Sequence, residues 1–187
     1  FTAGLTHAVL SAALLGGAAP ALANAPEATV ALALADKAAV GKARLRVWGF
    51  NVYDATLYAR SGFDAARYVE QRFALELAYL RDFEGADIAE RSLKEMQDLA
   101  RIDEATGARW LAAMKGLFPD VKAGDRITGV HVPGSGARFY LNGRLRGELA
   151  DENFSRLFFG IWLSPKTSQP AMRATLIQAA AAAPRTP

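Results

Sequence analysis

The sequence contains no cysteine, which rules out a disulfide framework and any thiolate metal site and leaves the fold to rest on its core. Histidine is scarce as well, at His7 and His131 alone. Neither belongs to a cluster of His and carboxylate residues at ligand spacing, so no metal and no cofactor is expected. No Gly-x-Ser-x-Gly occurs, and no sequence context supports a serine triad. The 22 basic residues never gather into a tract, and there is no finger or recognition-helix pattern, so nucleic acid is not an expected partner. Pro133-Gly-Ser-Gly136 lacks the following Lys-Ser/Thr of a phosphate loop and precedes a strand, which makes it a plain loop. A solvated face explains nearly all of the carboxylates Asp82, Glu84, Asp87, Glu90, Glu95 and Asp98.

Charge is missing from one whole stretch. Residues 1–25 hold no Lys, Arg, Asp or Glu and are mostly Ala, Leu and Gly. Val9 to Leu15 is a short apolar run, and Ala21-Leu-Ala23 fits the small-x-small rule for signal peptidase. Residues 1–23 are therefore expected to be an export signal, with a periplasmic or secreted bacterial product. The run is too short and too interrupted to span a bilayer, and no transmembrane segment is expected in the mature chain.

What is present is a hydrophobic half of the chain, enough for one domain over residues 24–178. Ala28 to Ala35 reads as a first strand. Gly41 to Ala59 reads as a long strand bent or bulged at Gly49. Asp64 caps a short helix. Phe73 to Tyr79 is a strand, and Gly85 to Arg101 and Glu104 to Phe118 are amphipathic helices. Asp125 to Val132 is a strand, and Asn142-Gly143 marks a hairpin. Asp151 caps a helix with Phe154, Leu157, Phe158, Ile161 and Trp162 on one side. A last helix starts near Pro170, and residues 179–187 are expected to be a disordered tail. Strands and helices are segregated, which predicts an α+β domain: an antiparallel sheet with helices packed on one face.

Within the long strand, alternation puts Arg44, Arg46 and Trp48 on one face and Leu45 and Val47 on the other. Two cations in a strand that otherwise reads as core are costly unless partnered. Either they lie at an exposed edge, where they block aggregation, or one meets an anion in a pocket. In the second case Arg46, with Tyr53, Tyr58 and Tyr79, could hold a carboxylate or an enolate-like oxygen.

Leu45-Arg46 leading into Phe50-Asn-Val-Tyr-Asp-Ala-Thr-Leu-Tyr58, the helix start Gly85-Ala-x-x-x-Glu-Arg91, Asn142-Gly143, Phe159-Gly-Ile-Trp-Leu163 and Pro170-Ala-Met-Arg-Ala-Thr-Leu176 occur in order. Together they resemble the chalcone isomerase-like superfamily, in its bacterial exported branch. The resemblance implies an open-faced β-sandwich with a cleft between a large antiparallel sheet and a helical layer. It places the family arginine at Arg46, with Arg44 as the other candidate, and the catalytic threonine of plant enzymes at Asn51. Their catalytic tyrosine falls at Ile88 and their helix asparagine at Glu95. Isoleucine cannot donate a hydrogen bond to a developing enolate. The implied function is therefore binding of an apolar carboxylate, a fatty or aromatic acid. An isomerase acting on chalcone-like unsaturated carbonyl compounds, through Arg46 and Asn51, is the alternative. A non-catalytic envelope interaction protein is the third.

Overall fold

The computed structural model describes residues 36–178; the expected signal segment, the expected Ala28–Ala35 strand and the Ala-rich tail lie outside the described residues. Six strands form one sheet whose spatial order equals chain order: β1 (Ala38–Val47), β2 (Phe50–Ala59), β3 (Phe73–Tyr79), β4 (Arg126–Val132), β5 (Gly136–Leu141) and β6 (Arg144–Leu149). Every neighbouring pair is antiparallel. Four helices follow the strands in two groups: α1 (Gly85–Leu99), α2 (Glu104–Leu117), α3 (Glu152–Leu163) and α4 (Pro170–Leu176). The helices cover one face of the sheet, as the segregation of elements predicts.

Aspartates cap three helix starts, two of them, Asp64 and Asp151, as expected from sequence. Asp64 accepts from the Ala66 N–H at 2.9 Å, although the helix it starts is a 3₁₀ segment, Ala65–Glu70. Asp103 accepts from the Thr106 N–H at 2.9 Å and starts α2. Asp151 accepts from the Phe154 N–H at 2.9 Å, and its other oxygen takes the buried Trp110 Nε1–H at 2.8 Å. One carboxylate thus caps α3 and ties it to α2.

α3 is the central helix of the layer. Phe154 and Phe159 are fully buried on it. Phe159 meets Phe73 of β3 edge-on at 4.9 Å, and Phe158 meets Phe139 of β5 edge-on at 5.1 Å. Such pairs add about 1 kcal/mol each beyond their buried area. The opposite sheet face carries only a small apolar patch, Ala74, Val130 and Tyr140 with Tyr58 and Val132. Charged pairs such as Glu76–Arg126 share that open face.

The long central stretch is two strands, not one. Trp48 and Gly49 form a two-residue turn with φ of 49° and 83°. Positive φ at both central positions is the type I′ hairpin geometry. Gly49 therefore reverses the chain instead of bending it, because only it and its neighbour carry the left-handed backbone. A bulge follows. Leu45 pairs with Tyr53 but Arg46 pairs with Asn51, so Val52 is one residue extra.

His131, in β4, is fully buried against the Phe73 ring. Its ring nitrogens lie 2.7 Å from Ser155 Oγ and 2.9 Å from the Val69 carbonyl. It is a structural strand residue, joining β4 to α3 and to the 3₁₀ segment. Burial holds its imidazole below the ordinary value. The unfolded chain takes up a proton near pH ~6.5 that the folded chain resists. This contribution to stability is complete above that pH and declines as pH falls toward the lowered folded value. The urea midpoint is thus expected to drop between pH 7.5 and 5.5, and His131→Asn to flatten that slope. A wild-type midpoint that rises or stays level as acid is added rejects the assignment.

Candidate functional site

Between the β1–β2–β3 end of the sheet and helices α1 and α3 lies a cleft of about 470 Å³. That volume suits a drug-sized ligand. Its sheet side is apolar and aromatic: Leu45 and Val47 from β1, Val52 and Tyr53 from β2, Leu77 and Tyr79 from β3. α3 contributes Phe158, Ile161 and Trp162, and α1 contributes Ile88, Arg91, Ser92 and Glu95. These four α1 residues recur at i, i+3, i+4 and i+7, which puts them on one helix face. Trp48 and Phe50, at the hairpin tip, form the mouth with Arg81 and Asp87.

The polar groups are few. The Trp162 indole N–H donates to the Tyr53 hydroxyl at 3.0 Å, which leaves the phenol's own proton for another acceptor. Tyr53 and Tyr79 are cross-strand partners, with ring centroids 6.0 Å apart. No hydrogen bond holds the Tyr79 hydroxyl among the described residues, and the atom is not sealed from the cleft. Burial pushes both phenols far up from their ordinary value, so both remain neutral donors at physiological pH. Glu95 is nearly buried and accepts from Arg91 on its own helix and from Ser168 Oγ at 2.7 Å. Its charge is thereby matched before any ligand arrives. Arg81 has no carboxylate partner among the described residues, and its guanidinium lies 4.9 Å over the Phe50 ring.

Of the residues singled out from sequence, Tyr53, Tyr79, Ile88 and Glu95 meet in the cleft, whereas Arg44, Arg46, Asn51 and Tyr58 do not. Arg44 forks onto Asp54 at 2.6 and 2.9 Å on the open face of the sheet. Arg46 Nε donates to Asn51 Oδ1 at 2.9 Å, also outside. Neither Arg46 nor Arg44 enters the cleft, contrary to the pocket placement expected from sequence: among the described residues β1 ends the sheet, and its cations take the exposed-edge alternative. Asn51 would share the face of Tyr53 under simple alternation. The extra residue at Val52 reverses that parity and turns Asn51 outward. Tyr58 packs with Ala74, Val130 and Tyr140 on the far side.

Sequence reasoning missed Arg81, Arg91, Trp162 and Ser168 as cleft residues. The Arg91–Glu95 spacing of four was a usable signal, since such residues neighbour each other on a helix. Arg81 carries no local signal. It follows β3 and reaches the mouth only because the hairpin tip folds over beside it.

A family model described as chalcone isomerase-like matches residues 38–178. An uncharacterized protein of Haemophilus influenzae is 30% identical over 122 residues, covering 65% of this chain and 58% of that one. The chain thus matches less than two thirds of that relative's length. Among solved structures, a fatty-acid binding protein of Arabidopsis thaliana superposes with a TM-score of 0.58 at 12% identity, over 79% of this chain and 90% of that one. At that identity the likeness is one of fold: a six-stranded antiparallel open sheet with helices on one face.

Proposed function

The chain belongs to the chalcone isomerase-like family, and from that premise we propose that its cleft binds an apolar carboxylate, a fatty or aromatic acid. The observation that carries this reading is an aromatic-floored cleft whose mouth holds one arginine, Arg81, with no carboxylate partner among the described residues. An alkyl chain or aryl ring gains by leaving water against Phe158, Ile161 and Leu77. Its carboxylate meets the Arg81 guanidinium at the mouth, or accepts from the free proton of the Tyr53 or Tyr79 phenol. Fatty-acid binding by the structural neighbour supports the same ligand class. The uncharged first 25 residues support an exported setting.

The test is native mass spectrometry and calorimetry with oleate and trans-cinnamate. Uptake of at least one acid is expected. Because Arg81 is solvent-exposed, Arg81→Gln is expected to weaken binding by about fivefold, roughly 1 kcal/mol. A clean apo mass with both acids overturns the reading, and an unchanged affinity in Arg81→Gln removes the arginine from it.

A second reading, an isomerase for unsaturated carbonyl compounds, draws on the paired Tyr53 and Tyr79 hydroxyls, which could steady an enolate oxygen. Ile88 supplies no donor there. Chalcone absorbance decaying no faster with protein than in buffer removes this alternative.

A further inference from the structure

We propose that the tip of the β1–β2 hairpin docks on an anionic lipid surface, and that docking lets the cleft exchange its ligand directly with the bilayer; the second clause rests on the cleft reading above, the first does not. Trp48 is 95% exposed, and Val47 and Phe50 beside it are 40% and 60% exposed. Leu80, also exposed, is bonded through its N–H to the Val52 carbonyl and so stands at the same end of the sheet.

The backbone makes this exposure harder to explain as chance. Trp48 and Gly49 hold φ of 49° and 83°, and the Asn142-Gly143 turn of the same protein holds 48° and 83°. Asparagine suits that geometry, and Asn142 is tied down by hydrogen bonds to the Arg126 N–H and to Asp125. A bulky aromatic in left-handed backbone is strained. Nothing in the fold rewards it, since the indole packs on almost nothing. Such strain is retained where a site uses it.

Charge at the tip selects the partner. Arg46 is bonded only to the neutral Asn51, and Arg81 lies over Phe50, so neither is matched by a carboxylate among the described residues. Arg44 and Lys42 share Asp54. The cleft-lining carboxylates among the described residues, Asp87 and Glu95, both stand on the facing wall, α1, and Glu95 already accepts from Arg91 and Ser168. Unmatched cations beside tryptophan suit anionic headgroups over an apolar interior. Three side chains on a narrow turn are too small for a stable protein interface, which covers about 800 Å² per partner. The bilayer is therefore the occupant that these exposed aromatics and unmatched cations favour. Trp48 and Phe50 also line the cleft, so a docked tip sets the cleft mouth at the lipid surface, and an acyl chain could pass between them without crossing water.

The test is flotation of the 187-residue chain with vesicles of equal parts phosphatidylglycerol and phosphatidylcholine, and with phosphatidylcholine alone. Trp48→Asn recreates the Asn-Gly turn, so it keeps the hairpin and removes the indole; its urea midpoint is expected to rise. Its bound fraction is expected to fall by about tenfold. Arg46→Gln is expected to lose about threefold on the anionic vesicles and nothing on the neutral ones. The apolar N-terminal stretch is common to all variants and cancels in these comparisons. Equal flotation of Trp48→Asn and wild type, or no flotation of wild type, overturns the proposal. A wild-type dimer that Trp48→Asn dissolves, with no flotation of either, gives the tip to a second copy and also overturns it. Oleate uptake is measured on the same proteins without vesicles. Flotation without uptake sinks the cleft reading alone, and uptake without flotation sinks docking alone.

Discussion

Gly85→Ala is expected to remove at least about 3 kcal/mol of stability and ligand uptake with it. A Cβ at this position would stand 2.1 Å from the Phe118 carbonyl oxygen and 2.7 Å from the Pro119 carbonyl carbon. Both are backbone atoms, so no rotamer change relieves the overlap; the start of α1 and the end of α2 must part. The same glycine donates its N–H to Asp120 Oδ1 at 2.9 Å, and Phe83 and Val121 bridge just before it. These contacts clamp the two helices at one corner, and parting them breaks the clamp as well. α1 carries Ile88, Arg91 and Glu95, so the cleft loses its upper wall. Gly116→Ala is the matched control. Gly116 is an exposed position within α2, and an added Cβ there meets nothing within 4 Å. Alanine is expected to stabilise it by about 0.5–1 kcal/mol. Urea unfolding of both variants decides. A Gly85→Ala protein within about 1 kcal/mol of wild type would show that the corner yields.

Ile88→Glu is expected to lower affinity for oleate or cinnamate by about 100-fold, roughly 2.8 kcal/mol. Ile88 is half-buried on the cleft side of α1. A glutamate there places an anion inside the cleft, where an incoming carboxylate is repelled and the apolar tail loses a contact. Folding should hold, because the first turn of a helix favours a negative side chain. Ile88→Leu keeps the volume and should stay within about threefold of wild type. Calorimetry gives the affinities, and the urea midpoint checks the fold. Undiminished binding by a folded Ile88→Glu protein would place the ligand elsewhere.

The fold was legible where chemistry is local. Helix starts at Asp64 and Asp151, the Asn142-Gly143 turn and the sided stripes of α1 and α3 each follow from a few neighbouring residues. The family resemblance then supplied the cleft. The cleft's cation was not legible, for two physical reasons. Trp48-Gly49 is a reversal, but tryptophan is a poor left-handed residue, so the turn was hidden inside what looked like continuous strand. The extra residue at Val52 then inverted the sidedness of Asn51. Alternation does place Arg46 opposite Leu45 and Val47, and that parity holds in the structure; the choice between a pocket and an edge was undecidable without knowing that β1 ends the sheet of the described residues. Arg81 and Arg91 looked like ordinary solvated charges because their place in the cleft depends on what folds beside them.

The unbroken strand order has a bearing on how the domain assembles. Each strand finds its partner in the next strand along the chain, mostly through a short reversal, so loop closure costs the sheet little. The longest closure among the described elements is of another kind: α4, the last of them, lies on β1, the first of them, with Gly41 pressed against the Leu176 carbonyl. That closure spans the whole domain, and nothing nearby in sequence assists it. α4 is thus expected to seat late and to lift early in native-state opening, which hydrogen exchange along the chain would read. The two ends of the described chain meet where it docks.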